Sequence, residues 1–196
     1  MRILVKSLAL SAAAGLLAIT PLMATILKQM NLEELAGNAN RIFSGTVIEV
    51  DKGRLDAGGT TLSTVTYRVV VDTAFRGDFI DKGEQKIADL RMVAASEPVQ
   101  SGDQVRFPVL PKMPEIEMGQ RYLFFTTAPS SVGLSTTVGL GQGCFRISGE
   151  PGQELLVNEF DNLGLFRGMG VTAVPERGPI AYSSLAEQIN ALLGGK

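Results

Sequence analysis

The chain has no histidine, no tryptophan and one cysteine, Cys144. Without histidine there is no Ser-His-Asp or Cys-His catalysis, no imidazole metal ligand and no imidazole switch near neutral pH. A single cysteine excludes an intramolecular disulfide, and none follows the N-terminal apolar run to accept a lipid. Lys and Arg form no run, so the electrostatic footprint expected of a nucleic-acid or anionic-lipid surface is missing. The common hydrolase mechanisms lose their residues in this way. No constellation of catalytic, cofactor-binding or metal-binding side chains stands out, and no cofactor is implied. Hydrophobic residues make up 45% of the chain, which rules out a disordered polypeptide.

Residues 1–24, MRILVKSLALSAAAGLLAITPLMA, read as a signal peptide. Arg2 and Lys6 form a short basic region, Leu8 to Ile19 an uncharged and mostly apolar one. Pro21 breaks the run, and Ala24 offers a small residue for cleavage. About a dozen apolar residues fall short of the roughly 20 that a membrane span needs. The expectation is export to the periplasm or the extracellular space, with a mature chain from near Thr25 and no stable membrane insertion. An uncleaved anchor is the alternative, because Leu22 sits two positions before Ala24, where a small residue is preferred. Cleavage removes two of 18 basic residues and none of 20 acidic ones, leaving a net charge of −4. That mild excess favours solubility without steering a particular partner.

Residues 25–196 suit one mainly β domain, with a core about 41–127 and an extension 128–196. Asn31 and Glu34 form a capping box for a short helix carrying Leu32, Leu35 and Ala39. Arg41 to Asp51 predicts a strand with a bulge or bend at Gly45. Lys52 to Thr60 predicts a hairpin loop. Thr61 to Thr73 alternates cleanly, with Val65, Tyr67, Val69 and Val71 on one face. A third strand follows near Gln85 to Val93. Pro98, Pro108, Pro111 and Pro114 make Ala94 to Met118 an irregular excursion, with an edge strand at Gln104 to Val109. Arg121 to Thr127 is apolar enough for a core strand. Val138 to Ile147 and Glu154 to Phe160 predict a strand pair, and Leu163 to Pro179 surface excursions. Ser184 and Glu187 form a second capping box, opening a C-terminal helix that stops at Gly194-Gly195.

Three segments in order, Ile42 to Val50, Val65 to Gly77 and Met118 to Phe125, carry an "IF-x-GTV" start, a "TYRV" strand ending in "FRG", and a "G-x-RYLFF" strand. They resemble exported bacterial proteins of uncharacterised function and, more distantly, the netrin-like module of the tissue inhibitors of metalloproteinases. The resemblance covers Leu32 to Phe125. It implies a closed or nearly closed five-stranded OB-type barrel with extra strands, a short N-terminal helix and a C-terminal helix. The inhibitors chelate their target's zinc through an N-terminal cysteine. None stands there in this chain, so that chemistry does not carry over and no functional residue transfers.

Several residues bear on function. Cys144 reads as a nucleophile or a pairing thiol, or as a small buried apolar residue; with no histidine to activate it, the buried reading is preferred. Asp51 and Asp56, and Asp161 with Asn162, could ligate calcium, but they suit exposed turns better. Glu115 and Glu117 flank Ile116 and point to one side of an extended segment, as an acid/base pair would, although two solvated charges suffice. Gly139, Gly141 and Gly143 alternate, which in a strand puts them on one face, either for a close-approaching ligand or for a bend. Arg68, Arg121 and Arg146 fall in strands as solvated charges.

The leading expectation is a non-enzymatic exported module that binds a protein or envelope component through loops on a rigid sheet. Met113, Ile116 and Met118 are the candidate apolar contact residues. Two other classes remain open at this point: an inhibitor of a secreted protease without the zinc-chelating cysteine, and a hydrolase using carboxylates or Ser/Lys chemistry.

Overall fold

The computed structural model describes residues 28–94, 99–101, 104–106, 113–171 and 175–195. The predicted signal peptide lies outside these residues, as does about half of the excursion, including positions 107–109 of its predicted edge strand. Helix α1 (Leu32–Asn38) opens as its sequence requires: Asn31 accepts from the Glu34 amide, and Glu34 accepts from the Asn31 amide. The chain then enters β1 (Arg41–Ala57) and β2 (Thr60–Arg76), followed by β3 (Ile80–Lys82) and β4 (Gln85–Val93). Next come β5 (Val99–Ser101), β6 (Gln104–Arg106), β7 (Arg121–Thr126), a 3-10 turn at Leu140–Gly143, β8 (Cys144–Ser148), β9 (Leu155–Asn158), β10 (Ile180–Ala181) and helix α2 (Tyr182–Gly194).

Eight strands form one antiparallel sheet in the order β10-β9-β8-β7-β1-β2-β4-β3, and β5–β6 form a separate hairpin. The protein is thus mainly β with two helices. The implied barrel is not closed: among the described residues no ladder joins β10 to β3. Strands β8 to β10 extend the sheet beyond β7, where a five-stranded barrel would close. The sheet nevertheless curls. Tyr67 on β2 packs in the same apolar cluster as Cys144 on β8 and Tyr122 on β7. Strands β1 and β7 separate Tyr67 from Cys144, a gap of roughly 14 Å in a flat sheet.

Both faces of the sheet centre are buried. Leu123, Phe125, Phe145, Ile147 and Leu156 pack on one face with Leu32 and Leu35 of α1 and Leu185 and Ile189 of α2. Phe43, Val47, Val69, Leu90, Met92, Tyr122 and Phe124 fill the concave face, closed by Ile116. The two-residue period of β7 sends Tyr122 and Phe124 one way and Leu123 and Phe125 the other. Ser44 and Tyr182 pair their hydroxyls at 2.9 Å, fixing α2 to β1.

Three local expectations need correction. Lys52 to Thr60 is not a loop: β1 and β2 continue to Ala57↔Thr60, leaving Gly58 and Gly59 as the turn. Their φ values, +59° and +79°, suit the primed two-residue turns that match strand twist, so the polar run before them stays in strand. Val138 to Ile147 is not one strand. Gly139 is left-handed and caps the 3-10 turn, so Gly139, Gly141 and Gly143 share no strand face and β8 begins only at Cys144. Helix α2 starts at Tyr182 with no side-chain cap, so Ser184 lies inside it. Its Tyr182 amide instead donates to the Glu154 carbonyl, which makes the sheet the cap.

Candidate functional site: the cleft beneath the β1–β2 ribbon

Strand β7 accompanies β1 only from Arg41 to Thr46. Beyond that point Gly119 donates to the Val47 carbonyl at 2.7 Å, and the chain before Gly119 passes to the concave side, where Ile116 is buried. Ile48 is skipped in the β1–β2 register, a bulge that turns the ribbon. Among the described residues the strand pairs from Glu49 to Ala57 with β2 alone, so the two strands project as a ribbon.

After the bulge, Val50↔Tyr67, Lys52↔Val65 and Arg54↔Ser63 are opposed pairs. All six line a cleft of about 690 Å³, together with Gly53, Thr64, Ala94 and Ile116. Val50, Val65, Tyr67 and Ile116 supply an apolar floor that merges with the concave core. Burial of Tyr67 disfavours its phenolate, so the hydroxyl keeps its proton and can donate.

The charge of this cleft is one-sided. Among the described residues no carboxylate lines it. Among the described residues Lys52 and Arg54 make no ion pair, although the chain carries a net negative charge.

The strand arginines are engaged, in contrast to the solvated charges expected. Arg68 bridges Asp89 at 3.0 Å and also pairs with Glu49. Hydrogen bonding to Asp89, then the charges of Asp89 and Glu49, hold its guanidinium above the usual range. Arg121 reaches Asp72 at 3.1 Å and Glu154 at 3.3 Å. Its burial works against its charge, but these two carboxylates outweigh that and raise it. Arg146 lies 3.1 Å from Glu117 and over the Tyr122 ring. Arg68 thus ties β2 to β4 and β1, Arg121 ties β7 to β2 and to the turn before β9, and Arg146 ties β8 to the segment before Gly119, whereas Lys52 and Arg54 make no such tie among the described residues.

The three candidate contact residues separate. Ile116 is buried and lines the cleft. Met113 is half-buried and packs behind it. Met118 is 68% exposed, at the turn that touches Val47 beside the exposed Ile48. They do not form one exposed patch, because the alternation that turns Glu115 and Glu117 outward turns Ile116 inward. Glu115 and Glu117 do share a side, but Glu117 is paired with Arg146. The Tyr122 hydroxyl accepts from the Glu117 amide at 3.0 Å and donates to the Glu115 carbonyl at 3.3 Å, locking the segment over the core.

Elsewhere, two adjoining clefts of about 400 and 430 Å³ share Gln29 and Leu163. Most of their polar groups are engaged, although the Glu159 and Glu176 carboxylates make no ion pair among the described residues. Gln142 accepts from the Met30 amide and donates to the Lys28 carbonyl, holding the start of the described chain as a strand partner would. Asn162 donates to the Leu156 and Gly178 carbonyls and accepts from the Asn158 amide. Asp161 pairs with Arg177 at 3.0 Å. Asp161 and Asn162 therefore serve the turn, both in left-handed conformation. Cys144 is fully buried, and desolvation pushes its thiol far above the usual range. Among the described residues no group of three Cys, Asp or Glu could hold a metal ion. No described helix is long and apolar enough to cross a membrane.

The ribbon cleft was the part that sequence reasoning missed. Its one signal was Lys52 and Arg54 at two-residue spacing after Val50, obscured once that stretch is read as a loop. No protein-family model matches this chain, and no curated protein matches its sequence.

Proposed function

We infer that this protein is an exported, non-enzymatic binding module of the bacterial envelope or secreted fraction. It is built on a curled sheet of the OB/netrin-like kind and engages a protein or envelope component through the ribbon cleft. The observation that carries the reading is the pair of cations, Lys52 and Arg54, set over an apolar floor with no carboxylate lining the cleft and no ion pair made by either among the described residues. Binding sites combine such a floor with a few oriented polar groups. The rigid ribbon supplies the orientation, and Ile116 contributes to the floor with Met113 behind it. Met118 and Ile48 add exposed apolar surface where the ribbon leaves the sheet. Residues 1–24 direct export, and the clamp of Gln142 on Lys28 and Met30 ties down the mature chain close to its start. The protonated, enclosed thiol and the absence of histidine support a role without nucleophilic chemistry.

The test is paired affinity capture. The mature chain, Thr25 to Lys196, and its Lys52→Glu/Arg54→Glu variant are used as baits against envelope and culture-fluid extracts of the source cells, with mass-spectrometric readout. The reading expects a partner enriched by the first bait and lost with the second, both baits melting at the same temperature. Equal enrichment by both baits contradicts the assignment to this cleft. Processing is checked by the N-terminal sequence of the exported protein, expected to begin at Thr25.

A further inference from the structure

We propose that the ribbon cleft takes an extended peptide that presents two acidic side chains and an apolar one on a single face, at two-residue spacing, added as a strand to the edge of β1 that is free among the described residues. This rests on reading the cleft as the binding surface and names its ligand class. Among the described residues β1 pairs only with β2 from Glu49 to Ala57, and the β5–β6 hairpin forms a sheet of its own. Strands commonly run about 5–6 residues, so this edge is long enough to template a full added strand. An anionic sugar or lipid headgroup could meet the two charges but could not use the backbone edge. A peptide uses both.

The side-chain register then sets the sequence. Val50, Lys52 and Arg54 stand in a row on the cleft side of β1. An added strand places every second side chain beside that row, within reach of cross-strand partners. The apolar side chain meets Val50 and the floor formed with Ile116, and the carboxylates meet Lys52 and Arg54. The Tyr67 and Ser63 hydroxyls, which line the same cleft, are further donors. Lysine on an edge strand also serves to keep other strands away. The two roles predict opposite outcomes with an acidic peptide: a guard leaves it unbound, a recognition charge selects it.

The experiment uses calorimetric titration of the mature protein with three synthetic peptides. The first is acetyl-Thr-Glu-Thr-Glu-Thr-Val-Thr-amide, which in an antiparallel strand sets Glu, Glu and Val on one face opposite Arg54, Lys52 and Val50. In the second, lysine replaces both glutamates. In the third, proline replaces the threonine between the glutamates, which keeps the charge but removes a backbone donor and breaks the strand. The expected result is that the first peptide binds and the other two bind at least tenfold more weakly. The Lys52→Glu/Arg54→Glu variant loses the first peptide by a similar factor and, with charge complementarity reversed, prefers the lysine peptide. The milder Lys52→Ala/Arg54→Ala variant keeps the test valid if charge reversal disturbs folding. Absence of binding by the acidic peptide overturns the proposal, as does equal affinity for the acidic and lysine peptides or for the acidic and proline peptides. The capture experiment decides the cleft reading separately: a partner lost with the charge-reversed bait, beside a silent acidic peptide, rejects the ligand class and keeps the cleft.

Discussion

Cys144 shows how one residue's surroundings settle its chemistry. It stands at the head of β8 against Tyr122 and Phe124, within the concave core. Enclosure raises the cost of the thiolate, and the nearby charge of Glu159 adds to it. Thiol reactivity requires the thiolate, so a native-state titration with a disulfide reagent is expected to leave Cys144 unlabelled, with full reaction only in denaturant. Rapid labelling of the folded protein would contradict this placement. The inert reading was available from the sequence, since a lone cysteine without histidine has no activating base. The arginines were harder to read: a strand register is needed to see that Arg68 meets Asp89 or that Arg121 meets Asp72. Asn162 was invisible for the same reason, because its partners come from β9 and from Gly178.

Among the elements, the β1–β2 pair decides most. Gly45 predicted a bend, and the register does shift between Ser44 and Gly45. A Cβ at this position would collide with the Val70 carbonyl oxygen and would come within 2.7 Å of Val69 Cγ1. Backbone cannot step aside as a flexible side chain can. Gly45→Ala is therefore expected to destabilise the fold by about 1–3 kcal/mol, read from chemical denaturation. A variant as stable as the parent would show that the two strands do not approach so closely. Helix α1, β4 and β7 were legible because a cap or a hydrophobic period marks each of them. The ribbon tip was not, since Lys52 to Ala57 is polar, exposed and free of any period that burial would impose. The 3-10 turn at Leu140–Gly143 escaped notice because its apolar residues mimic a strand. Helix α2 began earlier than its Ser184 signal because the sheet, through Glu154, caps it.

For the whole molecule, the lack of histidine shapes the response to pH. Between about pH 5.5 and 8 no side chain with an ordinary histidine pKa is present to titrate, so the melting temperature is expected to be nearly flat there. Acid has carboxylates to act on. Glu34 is held below its ordinary value of 4.5 first by its hydrogen bond from Lys28 and then by the Asn31 amide. Glu154 is held below the same value first by backbone donors and then by Arg121. A carboxylate with a lowered folded-state pKa stabilises the fold fully above its unfolded value, and loses that contribution as pH falls through the folded value. The melting temperature should therefore decline below about pH 4.5, gradually, because both groups are only half-buried and solvent screens part of their pairing. A step near pH 6.5 would contradict this account.

The proposed binding also belongs to the whole molecule. The mainly β pattern could be read without coordinates, whereas the curl of the sheet and the one-sided charge of its cleft depend on long-range pairing. The most direct measurement is hydrogen exchange of the mature protein, alone and saturated with the captured partner. Slower exchange confined to Glu49–Ala57 and Ser63–Tyr67, with the Gln142 and Asn162 clamps unchanged, is the predicted result. Unchanged exchange along the ribbon, with protection elsewhere, would contradict the central claim that this cleft is where the protein binds.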